Sequence, residues 1–134
     1  MINYLLIYSD WGVLALRVVL GVLLMAHGWP KIKNIRGTAG WLGPMGFRPA
    51  TFWAAVVSLL EFVGGAFLVV GFFTQIVAAL FAIQFLIIIL KINAKKGLVG
   101  GYEFDLLILG ASLALLTLSG GSMSLDNILG LRLY

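Results

Sequence analysis

"LRVVLGVLLMAHGWPKI", residues 16–32, decides how the chain is read. Most of it is as apolar as lipid, yet Arg17 stands near its start, and His27 and Lys31 near its end. A run of about 20 apolar residues is long enough to cross a hydrocarbon core as a helix. A charged side chain at that depth costs about 2.5–3.5 kcal/mol on insertion scales, so it faces the bundle interior and a partner there. The segment is therefore a membrane helix whose polar residues need explaining.

Composition supports lipid as the solvent. The chain has 134 residues, 62% of them hydrophobic and only 10% charged, with a mean hydropathy of +1.10. Soluble domains carry about 25% charged residues. Working outward from residues 16–32, four stretches are long enough to span: about 11–29, 51–71, 74–92 and 102–118. Strict alternation of apolar and polar residues is absent, which argues against a transmembrane β-barrel. The expected fold is all-α, an integral membrane antiparallel four-helix bundle forming a single domain. A long surface loop at about 30–50 holds all three prolines, and a C-terminal surface segment covers about 122–134, with Ser124 as its N-cap. The residues before the first helix contain no Lys or Arg and no cleavage pattern follows it, so that helix reads as retained rather than as a signal peptide.

The basic residues orient the bundle. Lys31, Lys33, Arg36 and Arg48 lie in the first connection and Lys91, Lys95 and Lys96 in the third, against Arg132 alone beyond the helices on the other side. The positive-inside rule places loops 30–50 and 91–101 in the cytoplasm and both termini outside. The positive balance, nine Lys and Arg against five Asp and Glu, then reflects orientation rather than nucleic-acid binding.

Several chemistries are excluded within the chain. With no cysteine there is no disulfide exchange, thiolate catalysis or cysteine-ligated iron–sulfur cluster. With one histidine there is no bis-histidine haem in a single protomer. No phosphate-cradling glycine motif or nucleophile elbow occurs. No metal, haem or flavin is expected, and any redox role takes its electrons from a diffusible cofactor or a partner subunit.

What remains is a set of polar residues inside apolar helices. At 1.5 Å per residue Arg17 lies about 9 Å deep and Glu61 about 15 Å deep from the outer side. The difference of about 6 Å is within reach of an arginine side chain, so a buried Arg17–Glu61 ion pair is expected. Arg17, Gly21, Gly28 and Lys31 fall within about 40° of one line on the first helix. Gly64 and Gly65 beside Glu61, and Gly110 on the fourth helix, are expected packing positions, as are the small-residue pairs Ala54/Ser58, Ala78/Ala82 and Gly110/Ala114. Glu103 and Asp105 lie about 200° apart on the fourth helix. Glu103 shares its face with Gly110 and is therefore the expected inward one. Arg17, His27, Lys31, Glu61, Gln84 and Glu103 form the candidate ligand-binding set, in an outer layer (Arg17, Glu61) and an inner one (His27, Lys31, Glu103) with Gln84 between.

These motifs, in this order and spacing, resemble the DoxX family of small bacterial and archaeal membrane proteins. The resemblance rests on Arg17 and the His27-Gly28-x-x-Lys31 motif, on Glu61 followed by Gly64, Gly65 and Gly71, on Glu103 opening the fourth helix, and on a terminal Ser124-Leu125-Asp126. It covers nearly the whole chain. It implies a four-helix membrane bundle with a link to respiratory or oxidative-stress chemistry. Relatives include a subunit of a thiosulfate:quinone oxidoreductase and members found with thiol-handling or superoxide-removing partners. A quinone head needs hydrogen-bond donors for its carbonyl oxygens and a group that exchanges protons; Arg17, Gln84, Lys31 and His27 can donate, and Glu61, Glu103 and His27 can carry protons. The expected role is a quinone-binding or accessory subunit of a membrane redox complex. The expected partners are lipid and a redox subunit or a second copy. The alternative is a scaffold, or a carrier of another small lipid-soluble molecule.

Overall fold

A computed structural model describes residues 8–130, the side chains of Asn93 and Ala94 excepted. Arg132, used in the orientation count, and residues 131–134 of the expected C-terminal segment lie outside the described residues. Four helices are long and apolar enough to cross a membrane. They are α1 (Ser9–Lys33), α3 (Ala50–Val70), α4 (Thr74–Ile92) and α5, whose regular part is Glu103–Leu118. A short α2 (Ile35–Leu42) follows α1, and α6 (Leu125–Leu129) closes the described chain. Among the described residues there is no strand.

α1 is longer than the sequence reading gives it. It runs through Pro30 to Lys33. Proline lacks an N–H, and its ring crowds the carbonyl one turn back, so a proline near the end of an apolar run reads as a stop. Here the helix continues past it for three residues. It ends at Asn34 (φ −137°), whose side chain accepts from Gly37 N at 3.0 Å and so caps α2. The expected 30–50 loop is thus largely helical.

α3 starts after the extended residue Pro49 and ends at Gly71. Gly71 has φ +76°, a left-handed conformation that glycine adopts without a Cβ penalty. Its N–H and that of Phe72 return to the carbonyls of Leu68 and Phe67, the usual glycine-terminated helix end. α4 then runs antiparallel to α3. Beyond the residues 94–102 connection, α5 runs antiparallel to α4, and Gln75 Nε2 donates across to Leu116 O at 3.1 Å.

The bundle consists of two antiparallel pairs, α1 with α3 and α4 with α5. In the first pair, glycines let the backbones meet. A Cβ added to Gly21 would lie 2.5 Å from Gly65 O, and one added to Gly65 would lie 2.6 Å from Gly21 O. Gly28 is equally constrained, with Phe62 N at 2.7 Å from its would-be Cβ. The core between the pairs contains Leu20, Leu24, Leu68, Phe81, Phe85, Ile108 and Leu115. Ala78 belongs to it, and Ala54, Ser58 and Ala82 are buried as well. Gly110 is not a packing position: it is exposed, with open space where its Cβ would be. The buried face of α5 is instead Asp105, Ile108, Ser112 and Leu115, with Ser112 as its small residue. Many large apolar side chains, such as Val19, Ile83 and Leu107, point outward, as a lipid-facing surface requires.

The two ends of the bundle differ. One end, called basic below, carries α2 and the Lys91–Lys96 connection. The other carries the α3–α4 turn and the segment after α5, which folds back across the bundle.

Candidate functional site

The polar residues form two separate clusters, and the expected Arg17–Glu61 pair is absent. Glu61 pairs with Lys31: Nζ lies 2.8 Å from Oε1 and 2.9 Å from Oε2. Gln84 Nε2 adds a third hydrogen bond to Glu61 Oε1 at 2.8 Å. Arg17 turns toward the other end, where Nη1 donates to Gly120 O at 2.5 Å and Nη2 to Met123 O at 3.0 Å.

Side-chain direction explains the exchange of partners. The Cα–Cβ bond on a helix tilts toward its N-terminus. Because α1 and α3 are antiparallel, Arg17 leans toward the start of α1 while Glu61 leans toward the basic end. Their side chains diverge, although their Cα depths differ by only about 6 Å. Lys31 sits one turn beyond Gly28, the residue that touches the Glu61 backbone, and its side chain leans back into the bundle to meet the carboxylate.

The backbone of α3 is specialised at this point. Residues Leu60–Gly64 form a single π-turn with Glu61 inside it. Such turns add a residue to the helical repeat and occur frequently at functional sites. Glu61 is 1% exposed and lies eleven residues into α3, about 17 Å from its basic end and near the middle of the span. The Lys31 side chain is 29% exposed. Gln84 is buried, and its Oε1 has no hydrogen-bond partner among the described residues.

Lys31 borders two spaces. One is a cavity of about 210 Å³ between α3 and α4, roofed by α2 and its following turn, with Trp41, Leu42, Phe47, Trp53, Leu60, Leu80 and Ile87 among its walls. Lys31 and Gln84 are the polar residues lining this otherwise apolar space. The other is a pocket of about 350 Å³ at the basic end, formed with Pro30, Asn34, Gly37, Thr38 and Trp41. Lys31 and Trp41 belong to both. Lys91 lies 5.4 Å from the Phe47 ring and Lys33 4.7 Å from the Trp29 ring, cation–π contacts that fix aromatic and basic residues together at this end.

The second cluster closes the opposite end. Asp126 accepts from Phe73 N at 2.6 Å and Thr74 N at 2.8 Å, its carboxylate capping the N-terminus of α4. Asp126 N donates to Gly71 O, and Asp10 accepts from Ser122 N and Oγ. Ser124 caps α6 by accepting from Asn127 N at 3.2 Å. Arg17, 2% exposed, is sealed beneath this segment.

His27 and Glu103 belong to neither cluster. His27 is exposed and its ring lies 4.9 Å from that of Phe104. Glu103 is also exposed and accepts from Gly100 N at 3.2 Å, bracing the turn that opens α5. Asp105 is the buried carboxylate of this pair, the reverse of the sequence reading. Gly110 caused that error, because it marks a lipid-facing position rather than a packed one. The sequence reading gave no site role to Asp126 or to Trp41, Phe47 and Trp53. Asp126 stands two residues after a capping serine, and Trp41 and Phe47 are the aromatic residues of a connection expected to lie on the surface; both were visible signals.

The chain matches the DoxX family model over residues 12–94. It is 33% identical over 115 residues to a Bacillus subtilis (strain 168) protein named, provisionally, oxidoreductase CatD, covering 86% of this chain and 84% of that one. It is 32% identical over 125 residues to the inner membrane protein YqjF of Escherichia coli (strain K12), covering 90% of this chain and 94% of that one. No solved structure matches it significantly. With four spanning helices and these relatives, the protein is a membrane protein and belongs to the DoxX family.

Proposed function

We propose that the protein binds a quinone-type ligand in the cavity beside Lys31 and Gln84 and serves as a subunit or accessory of a membrane redox complex. One observation carries the reading. A lysine–glutamate–glutamine cluster, built on a π-turn near mid-membrane, adjoins a lipid-level cavity that is otherwise apolar. Buried ion pairs contribute little net stability, because desolvation offsets their attraction. Ionisable residues at this depth generally mark functional sites.

The residues fit such a head group. The aromatic and aliphatic walls suit a flat ring, and the volume is below the roughly 300–1,000 Å³ of drug-sized pockets, room for one substituted ring. When bound, a quinone supplies two-electron, two-proton redox chemistry. Lys31 would donate to a carbonyl oxygen from the cavity edge, and Glu61 would hold the ammonium in place and accept or release a proton. The pocket on the other side of Lys31 gives the pair a short route to water. The provisional oxidoreductase name of the Bacillus subtilis relative supports a redox setting.

The decisive experiment is extraction of the protein purified in mild detergent, with mass spectrometry of the co-purifying lipids, beside Glu61→Gln. Stoichiometric quinone that falls in the variant supports the reading. Bulk phospholipid alone in both proteins refutes tight quinone binding and leaves a carrier or scaffold role. The proposed orientation has the basic end in the cytoplasm. The chain has no cysteine, so single cysteines at Lys95 and Ser122 can be labelled in intact cells. Only the Ser122→Cys protein should react with an impermeant maleimide.

A further inference from the structure

The cavity beside Lys31 shares two of its walls with a neighbouring space. Leu60 and Leu80 also line a second space, an open groove of about 530 Å³ that continues between α3 and α4 toward the opposite end of the bundle. Its far end is reached at Phe67 and Phe73. On α4 the lining follows one stripe, Ile76, Leu80, Ile83 and Ile87, the spacing of a single helix face. These four side chains are exposed at 39–58%, with no described element covering them. Gly64 helps to form the groove floor: a Cβ there would lie 2.9 Å from Phe81 Cζ, so the helices come close beneath the groove. α4 has 19 residues, about 28 Å of helix, and the two spaces together follow nearly all of it.

From this adjacency we infer that the groove is the tail channel of the ligand, so that the protein takes a single-chain amphiphile. Its polar head lies by Lys31 and Gln84 and its apolar tail runs along the α3–α4 groove toward Phe73. The inference rests on the site proposed above and adds to it the class of molecule and its orientation. The polar residues lining the two spaces are at one end only, and the walls from Leu60 to Phe73 are apolar throughout. A head group cannot be stabilised at the Phe73 end, and a tail cannot leave through the α2 roof without crossing the basic surface. A two-chain phospholipid would need a second groove of the same kind beside the cavity.

Photo-crosslinking of the full-length protein in mild-detergent micelles tests this. The probe is a decyl-substituted dimethoxy-methyl-benzoquinone carrying a diazirine either on the ring or at the tail end, and labelled peptides are mapped by mass spectrometry. The ring probe should label around Trp41 and Trp53. The tail probe should label Val63, Phe67 and Ile76, and excess unlabelled quinone should compete with both. Ring labelling at the cavity with tail labelling spread over Val19 and Leu113, on outer faces of α1 and α5, would overturn the tail channel and leave the head site standing. Labelling by neither probe that unlabelled quinone can suppress would overturn both. A variant separates the two further. Ile76→Trp narrows the groove alone, since Ile76 does not line the cavity, and at a position 47% exposed it leaves the core intact. It should weaken binding of the decyl compound at least tenfold and that of the tailless head less than twofold. Equal weakening, or none, would refute the channel.

Discussion

Lys31→Met removes the ion-pair partner, the only one among the described residues, of a carboxylate that is 1% exposed. At 2.8 Å and an effective dielectric of about 20 the gross attraction is roughly 6 kcal/mol. Stripping one member from a buried pair typically costs about 3–5 kcal/mol, because the remaining charge is left in a low-dielectric site. Gln84 still donates to Glu61 after the change, which places the expected loss near the lower bound, about 3 kcal/mol. Glu61→Gln should cost much less, about 1 kcal/mol. It leaves a neutral amide with hydrogen-bonding capacity, and the Lys31 ammonium, already 29% exposed, can swing into the polar pocket beside Asn34. The double variant should recover most of the Lys31→Met loss, since no uncompensated charge remains. The assay is equilibrium unfolding by SDS titration in mixed micelles, followed by far-ultraviolet circular dichroism. A Lys31→Met loss no larger than that of Glu61→Gln, or effects additive to within about 0.5 kcal/mol, would refute the coupled buried pair.

Other consequences follow from the packing and from the sealed end. Asp126→Asn should lower stability by about 0.5–2 kcal/mol through loss of the α4 cap, seen as a lower Tm and faster proteolysis after Ser119. Arg17→Lys gives up the planar fork that reaches Gly120 and Met123 together, and should cost about 1.5–3 kcal/mol in the same unfolding titration. Gly21→Ala places a methyl against the Gly65 carbonyl and should destabilise by about 1–3 kcal/mol. Gly110→Ala has open space and should be neutral or stabilising by up to about 1 kcal/mol, measured side by side with Gly21→Ala.

The spans were legible because hydrophobic length is a one-dimensional quantity that sequence carries directly. Residues 74–92 were placed from composition alone, and α4 is Thr74–Ile92. The glycine contacts of Gly21, Gly28 and Gly65 were legible in the same way, since small residues on the Arg17 and Glu61 faces mark where backbones approach, whereas Gly64 makes room for the Phe81 ring. Partner choice was not, because it depends on where side-chain tips go rather than on Cα depth. Arg17 and Glu61 were matched by depth, but the antiparallel tilt of their side chains carries them apart and carries Lys31 inward. The orientation of α5 was misread for a different reason. In lipid a glycine is tolerated on either face, so Gly110 could not tell inside from outside, whereas the buried Ser112 could. α2 was missed because Pro30 suggested an early stop, although the aromatic residues that follow it have a cavity to cover.

The two polar clusters perform different physical tasks, and the difference lies in what surrounds them. Arg17 is spent on backbone carbonyls of a segment that folds over the end of the bundle, and Asp10 and Asp126 tie the same segment to α1 and to the α3–α4 turn. Charges used in this way organise chain ends and leave no titrating side chain facing lipid. Lys31 and Glu61 hold each other instead of backbone, at a π-turn that an ordinary α-helical repeat would not need. Their cluster adjoins a cavity on one side and an open pocket at the basic end on the other. If fixing α1 against α3 were the only requirement, the Gly21–Gly65 and Gly28–Phe62 contacts would already meet it. In the reading proposed above, an ionisable pair whose carboxylate lies near mid-span, kept at a desolvation cost with lipid-level space beside it, is arranged to meet a ligand that arrives through the membrane.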